Sequence, residues 1–335
     1  MRLPKSVFLL FSLVCVVCRA GEPSDSIGGR SRQWLADVTG AAMGLAVNAS
    51  ATELLKHTVS ESRPDRSDNR SFPSRHTSYA FTLASIGAHE LYSCSPLWVL
   101  ASHAAADAVA MQRVCAFRHY PGDVLAGAAL GLLSAELGYG LSRLIFPSPH
   151  RRATLSPMHN ASGLSVSTTA LIPLRSHSHG SAVGCGVESS LRGTLALGRS
   201  FGAGATLGLR SQPVYADGFL SGFLNGASMT LDAYMSWTDG FWQADSRVAA
   251  GVLRYFDRPC DDITSWSPLV GLTAGIRRRV AKALSVGGRL GCDFADMPGS
   301  CFVLSLSLVT KAEFCPILWA DYLESIRHWT IDAFA

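Results

Sequence analysis

Charged residues are scarce in this chain. Asp, Glu, Lys and Arg make up 16% of its 335 residues, against about 25% in an average soluble domain. Long blocks of one charge are also missing, and Lys plus Arg exceeds Asp plus Glu by only four, so nucleic acid is not expected as a partner. A hydrophobic content of 48% excludes an intrinsically disordered chain. The small positive surplus is compatible with any other anionic ligand.

Cysteines with the spacing of a zinc site are lacking beyond residue 20. Seven of the nine cysteines lie there, and none of these seven forms a C-x2-C pair. An odd number leaves at least one cysteine without an intramolecular disulfide. Cys292 and Cys301 flank one short loop and could form a disulfide. The other cysteines are interpreted as small apolar residues.

The first 20 residues have the pattern of a secretory signal peptide. Arg2 and Lys5 precede an apolar run from Val7 to Val17, and Ala20 offers a small residue before cleavage. The alternatives are an uncleaved membrane anchor and, less favoured, a lipoprotein signal. We therefore expect the mature protein outside the cytoplasm, in the cell envelope.

Residues 33–146 have a helical pattern without an uncharged run of 18 residues. Apolar residues recur at spacings of three and four in four segments, and Pro73, Pro96 and Pro121 lie just ahead of helices, where proline is tolerated. Charged residues and histidine interrupt the segments, which favours a compact bundle over membrane spans. The predicted helices cover Trp34–His57, Thr77–Tyr92, Leu97–Arg113 and Asp123–Ile145.

From about residue 162 the apolar period changes to two, which is typical of β-strands. Long and short connections alternate; the long ones are predicted at about 173–182, 212–226, 257–265 and 295–300. An even number of alternating strands with this rhythm indicates an eight-stranded antiparallel β-barrel of the outer-membrane type. A soluble sandwich shows the same alternation and is the alternative. The predicted strands cover about residues 164–172, 183–197, 203–210, 228–237, 242–256, 270–277, 284–294 and 302–308.

The fold class is therefore multidomain α + β, with a helical bundle followed by the barrel. Membrane lipid would surround the apolar outer face of the barrel, and the charged minority face would fill the lumen. The predicted organisation is a signal peptide at 1–20, a helical domain at 30–149, a barrel at 150–314 and a tail at 315–335. The predicted lumen residues are Glu188, Arg192, Arg210, Asp232, Asp245, Arg247, Arg277, Arg289 and Asp293.

Three clusters in the helical half carry the residue types of a phosphate-transfer site. Lys56, Arg63 and Arg113 can neutralise a phosphoryl group, and arginine offers it a bidentate fork. Ser74 and the backbone N–H groups near Arg75 lie where a helix begins, which is an anion site. The spacings are K-x6-R-P from Lys56, P-S-R-H from Pro73, and R-x5-H-x3-D from Arg113.

Two histidines and one carboxylate complete this set. Histidine has a reference pKa of about 6.5, so it can act as a nucleophile or as an acid near neutral pH. Asp123 follows His119 by four residues and can fix its tautomer. Taken singly, each residue also has an ordinary structural explanation, so the signal is the joint order and spacing.

The three clusters resemble the type 2 phosphatidic acid phosphatase family, which shares its site with class A acid phosphatases and vanadium haloperoxidases. The resemblance covers about residues 35–146. It departs from the family pattern at Arg75, where glycine is usual, and at Gln112, where serine is usual. It implies that His119 is the nucleophile that forms a phosphohistidine, that Asp123 orients it, and that His76 protonates the leaving group.

The resemblance further implies a metal-independent phosphatase without a cofactor. The implied phosphate-binding residues are Lys56, Arg63, Ser74, Arg75 and Arg113. We expect a lipid phosphate or diphosphate as substrate, with a small phosphoester as an alternative, and a phosphatase domain in the periplasm. The alternative function is a structural or adhesive outer-membrane barrel with a vestigial phosphatase domain, for which Arg75 is the reason.

Overall fold

The computed structural model describes residues 27–91, 96–146, 157–174, 181–216, 219–257, 265–281, 284–297 and 300–313. The chain forms two compact units, Met1–Ala153 and Thr154–Ala335. The predicted signal peptide and the predicted tail lie outside the described residues. Each unit is described by itself below.

Among its described residues, the first unit contains four helices: α1 (Ile27–Thr58), α2 (Arg75–Leu91), α3 (Pro96–Cys115) and α4 (Pro121–Ile145). All four predicted helices are confirmed. Proline opens α3 and α4 because the first helical position needs no N–H donor. The first helix begins seven residues earlier than predicted, at Ile27.

Close approach of α4 to α1 and α2 sets the geometry of this unit. A Cβ atom added to Gly138 would lie 2.2 Å from the backbone nitrogen of Gly44 on α1, and one added to Gly127 would lie 2.7 Å from the carbonyl oxygen of Ser74 before α2. Only glycine allows such backbone contact. The second contact holds the beginning of α4 against the beginning of α2. Among the described helices, α4 is the one whose length and apolarity would suit a membrane span, a property that buried core helices share.

The second unit is a closed antiparallel β-barrel. Eight strands form its wall, since β1 pairs with both β3 and β9, and β4 pairs with β5. The short β2 adds to β4 beside the start of β3. The strands are β1 (Gly163–Pro173), β2 (Ser181–Val183), β3 (Gly186–Ala196), β4 (Phe201–Ala216), β5 (Phe219–Asp239), β6 (Trp242–Asp257), β7 (Trp266–Ala281), β8 (Leu284–Met297) and β9 (Ser300–Glu313).

Charged side chains lie inside this barrel and apolar ones outside. Eight of the nine predicted lumen residues are buried, and Arg247 is half-buried. Arg210 bonds to both Glu188 and Asp293, and Arg192 bonds to Asp232. This distribution inverts that of a soluble sandwich, whose enclosed face is apolar. The barrel is therefore of the outer-membrane type, as predicted.

Exposed aromatic residues form a girdle at each end of the barrel. Such girdles mark the two interfaces of a membrane. The girdle at the short turns contains Phe201, Trp237, Phe241 and Trp242, and the opposite one contains Phe219, Phe256, Trp266 and Phe294. Inside the second end, nine buried side chains form an apolar cluster: Leu171, Val183, Val214, Leu224, Leu253, Tyr255, Leu269, Ala295 and Val303.

Two local predictions were wrong. The long connection at 212–226 is strand instead, because β4 continues to Ala216 and β5 begins at Phe219. The predicted strand 183–197 is interrupted at Gly184, whose N–H donates to Pro213 O at 2.8 Å. The sequence left a disulfide between Cys292 and Cys301 open as a possibility; in the structure Cys292 is a free thiol, and β8 and β9 place it opposite Leu304.

Adjacent residues of β9 test the two faces of the wall. Leu306 is exposed on the outer face and Ser305 is buried on the lumen face. We expect Leu306→Arg to lower the free energy of unfolding in lipid by about 2–4 kcal/mol, because the guanidinium would enter hydrocarbon. Ser305→Arg would meet packing in the lumen, so its effect should not depend on the lipid. Heat-modifiable gel migration of the full chain, folded in vesicles across a urea series, measures both. If the chain stays folded without lipid or detergent, this unit is a soluble sandwich instead of a membrane barrel.

Candidate active site

His119 and Asp123 form a buried pair at the N-terminal end of α4. His119 Nδ1 lies 3.4 Å from Asp123 Oδ2, and the two residues are 2% and 1% exposed. A left-handed residue, Phe117 (φ 57°), reverses the chain after α3, and the Arg118 N–H donates to Arg113 O at 3.1 Å. This bonding pattern is that of a Schellman helix end. It places His119 one turn ahead of Asp123.

Three donors hold the Asp123 carboxylate. The Tyr120 N–H donates to Oδ2 at 3.0 Å, Ser71 Oγ donates to the same oxygen, and His119 Nδ1 completes the set. Burial opposes the charged form of Asp123, but these hydrogen bonds hold its pKa below the usual value. Asp123 is therefore an anion that accepts the Nδ1 proton of His119. The other ring nitrogen, Nε2, is then left with its lone pair.

Lys56 and Arg63 lie at the two ends of the first cluster. Lys56 is buried in the last turn of α1, and its Nζ donates to Arg70 O at 2.8 Å and to Ser71 O at 3.4 Å. Burial lowers the pKa of Lys56, and the charges of Arg63 and Arg75 lower it further. Arg63 Nε donates to Asp68 Oδ1 at 2.8 Å. Lys56 thus lies next to other cations and next to the loop that holds Asp123.

Arg113 joins this positive region from the end of α3. Burial lowers the pKa of its guanidinium, followed by repulsion from Arg118 and Arg63. Gln112, at the position where serine is usual, accepts from Arg113 Nε at 2.6 Å and also from its Nη2. Clustered cations that repel each other in the free protein are an arrangement suited to binding an anion.

The beginning of α2 contributes Ser74, Arg75 and His76. Ser74 is fully buried; its N–H donates to Asp123 O at 3.0 Å and its Oγ accepts from Thr77 Oγ1 at 2.9 Å. His76 is half-buried in the first turn. The Arg75 guanidinium forms an exposed ion pair with Glu53. A phosphate contact from position 75 would therefore come from its backbone N–H at the helix start.

Two residues of this site were not predicted from the sequence. Ser71 bonds directly to Asp123, and the Glu61 carboxyl forms a hydrogen bond with the same group. Both lie in the loop between α1 and α2: Glu61 is one of the six unspecified positions of the first cluster, and Ser71 lies between the first two clusters. The structure brings seven of the eight predicted residues into one region, through hydrogen bonds or through electrostatic effects on one another: Lys56, Arg63, Ser74, Arg75, Arg113, His119 and Asp123.

The first unit thus presents a buried histidine–carboxylate pair with a cluster of cations, on a helical scaffold, and the second is a membrane barrel. Residues 37–145 match the model of the PAP2 superfamily. The resemblance to this superfamily is confirmed for the helical part of the chain.

A curated relative matches about a third of the chain. The lipid A 1-phosphatase of Porphyromonas gingivalis is 37% identical over 121 residues, which are 36% of this chain and 27% of the relative. The chain thus spans about a quarter of the length of that protein.

Solved structures that resemble the chain include a surface protein and an outer membrane protein. Neisserial surface protein A is 9% identical with a TM-score of 0.35, covering 47% of this chain and 99% of that structure. The outer membrane protein OprG from Pseudomonas aeruginosa is 10% identical with a TM-score of 0.34, covering 48% and 96%. The barrel assignment itself depends on the strand pairing and on the side-chain distribution.

Proposed function

We propose that the helical domain is a metal-independent phosphatase that hydrolyses a lipid phosphate through a phosphohistidine intermediate. The observation that carries this proposal is the gathering of Lys56, Arg63 and Arg113 in one region with the buried His119–Asp123 pair. Release of inorganic phosphate by the full-length protein in detergent tests it. The panel contains lipid A, phosphatidate, phosphatidylglycerol phosphate and a polyprenyl diphosphate.

Substrate binding is assigned to the cations and to the start of α2. The phosphate oxygens take the place now facing Lys56, Arg63 and Arg113, whose mutual repulsion the anion relieves. The Ser74 hydroxyl and the N–H groups of Arg75 and His76 add donors from a helix N-terminus. Fixed cations of this kind supply the largest part of the transition-state stabilisation in phosphoryl transfer.

The reaction has two steps. His119 Nε2 attacks phosphorus while Asp123 holds Nδ1–H, and the bond from phosphorus to the leaving oxygen breaks. His76 gives its proton to that oxygen. Water then attacks the phosphohistidine, His76 takes a proton from the water, and phosphate and free His119 result. Division of one difficult step into two is the advantage of a covalent intermediate.

A lipid substrate is favoured by two observations. The curated relative is named for dephosphorylation of lipid A, and the second unit has the surface of a membrane barrel. The first and last strands, β1 and β9, pair at Gly163 and Glu313, at the end of the barrel that carries the short turns. In outer-membrane barrels short turns face the periplasm, so we place the phosphatase domain there, attached to the outer membrane.

The alternative remains a structural or adhesive barrel with a vestigial phosphatase domain. The sequence suggests this alternative because Arg75 has a long side chain at a position where glycine is usual. The exposed ion pair with Glu53 engages the Arg75 guanidinium and leaves the backbone N–H of this residue at the helix start, which supports an active site instead. Absence of phosphate release across the whole panel would favour the vestigial domain.

The acid role of His76 predicts a dependence on the leaving group. We expect His76→Ala to lower kcat by about 10²–10⁴-fold for an alcohol leaving group, the usual effect of losing a general acid. The loss should be much smaller with nitrophenyl phosphate, since nitrophenolate leaves without a proton. Steady-state kinetics with both substrates compares the two losses. Equal losses would exclude the acid role.

Arg75 offers a second comparison. We expect Arg75→Gly to leave kcat/KM within a few-fold of the wild-type value, because the lost group is an exposed ion pair worth about 0–1 kcal/mol and the backbone N–H remains. Arg63→Gly is the matched variant in the same region, and it should raise KM and lower kcat because a phosphate ligand is lost. A large loss in Arg75→Gly would instead show that the side chain itself contacts the substrate.

A further inference from the structure

Glu61 lies between Lys56 and Arg63 in the loop that joins α1 to α2, and the proposed mechanism gives it no part. Its N–H donates to Asn69 O at 3.2 Å, and its carbonyl accepts from the Ser71 N–H at 2.9 Å. Ser71 in turn donates its hydroxyl to Asp123. The two backbone bonds therefore fix Glu61 beside Asp123, and the carboxyl groups of the two residues are hydrogen-bonded.

Two carboxyl groups in such contact share one proton, because two adjacent negative charges repel. Burial raises the pKa of Glu61, and the charge of Asp123 and the hydrogen bond to it raise it further. The pKa of Asp123 is shifted in the opposite direction. Ser71, the Tyr120 N–H and His119 already bond to the Asp123 carboxylate and favour its charged form, so the shared proton resides on Glu61.

We infer that Glu61 is a positioning residue, whose protonated carboxyl donates to Asp123 and so fixes the carboxylate that orients His119. This inference rests on the proposed function. Glu61 does not touch the phosphate. Glu61 acts through Asp123, which already accepts hydrogen bonds from Ser71, Tyr120 and His119. The Glu61 carboxyl donates to a further acceptor position of the Asp123 carboxylate.

Other ionisable groups surround this pair on each side. Lys56 lies on the α1 side and attracts Asp123. Tyr120 and His119 face it from the start of α4, and burial, Glu61 and Asp123 together raise the pKa of Tyr120, while Arg66 of the loop opposes that shift.

Loss of the Glu61 proton should lower activity. A raised carboxyl pKa means that the protonated form is stable in the folded protein at low pH and is lost as pH rises through that raised value. Glu61 and Asp123 then both carry charge and repel, so the hydrogen bond between them breaks.

The test compares Glu61→Gln with Glu61→Leu in the full-length protein, with nitrophenyl phosphate as substrate over a pH series. Glutamine keeps an N–H donor to Asp123 and cannot ionise, whereas leucine keeps only the volume. We expect Glu61→Gln to retain most of kcat at low pH and to show its alkaline decline at a higher pH than the wild type. Glu61→Leu should lose kcat by about tenfold at every pH, with little change in KM.

Two results would overturn the inference while the wild type remains active: an alkaline decline at the same pH in wild type and Glu61→Gln, or wild-type kcat in Glu61→Leu. An inactive wild type would count against the proposed function instead.

Discussion

Replacement of His119 by alanine is expected to abolish turnover. In the proposed mechanism every catalytic cycle passes through a bond between phosphorus and His119 Nε2, and no other group of the described site is placed to form it. We expect a loss in kcat of about 10⁴–10⁶-fold, comparable to removal of a catalytic nucleophile in other covalent hydrolases. The cations at Lys56, Arg63 and Arg113 would remain, so phosphate should still bind to the variant.

Trapping of the intermediate identifies the nucleophile directly. Wild-type protein mixed with radioactive lipid phosphate and quenched in alkali should carry a label that acid removes, as a phosphorus–nitrogen bond requires. Peptide mapping should place the label at His119. His57→Ala is the matched control, since His57 is an exposed histidine of the same helical unit, and it should retain both turnover and label. A label on another residue would exclude His119 as the nucleophile.

The helices could be predicted because local signals and tertiary packing agree. Proline marks the first residue of α3 and of α4, and apolar residues recur with the helical period behind each. The apolar periodicity could not predict the direct backbone contacts at Gly127 and Gly138, because glycine has no side chain and adds nothing to an apolar pattern. That contact brings the start of α4 to the start of α2, and with it Asp123 to Ser74.

The strands could be predicted only where one face is buried and the other is exposed. Ser211, Gln212, Pro213 and Val214 are buried in succession, so the period of two disappears there. Pro213 adds a turn signal, although it lies within β4 opposite Phe223. The predicted connection at 212–226 was wrong for this reason. Elsewhere in the wall, charged residues alternate with apolar ones, and the lumen face followed from that alternation.

The predicted site consists of residues whose spacing within the chain is diagnostic. Lys56, His119 and Asp123 stand at fixed distances from arginine or proline, and the structure places them in one region. Ser71 and Glu61 reach Asp123 with their side chains because backbone hydrogen bonds of a loop hold them in place, and the spacing of residue types does not predict such bonds. The direction of the Arg75 side chain depends on Glu53, which lies 22 residues earlier on another helix.

Loss of one buried arginine in the barrel should destabilise the protein strongly. Arg210 is 3% exposed, bonds to Glu188 through Nε, and bonds to Asp293 Oδ2 through Nη2 at 2.8 Å. Arg210→Ala leaves two carboxylates in the lumen without their cation. We expect the free energy of unfolding in lipid vesicles to fall by about 3–5 kcal/mol, the usual cost of breaking a buried ion pair from one side.

A matched arginine and a compensated variant separate charge from volume. Arg254 lies on the outer surface, over the Trp266 ring, and Arg254→Ala should cost about 1 kcal/mol or less. Arg210→Ala combined with Glu188→Gln and Asp293→Asn removes the unpaired charges but not the cavity, so it should recover part of the stability lost in Arg210→Ala. Urea-dependent loss of heat-modifiable migration measures all three. If the triple variant were no more stable than Arg210→Ala, the loss in the free energy of unfolding would arise from lost packing. The lumen ion pairs would then not be what stabilises the charged interior of the barrel.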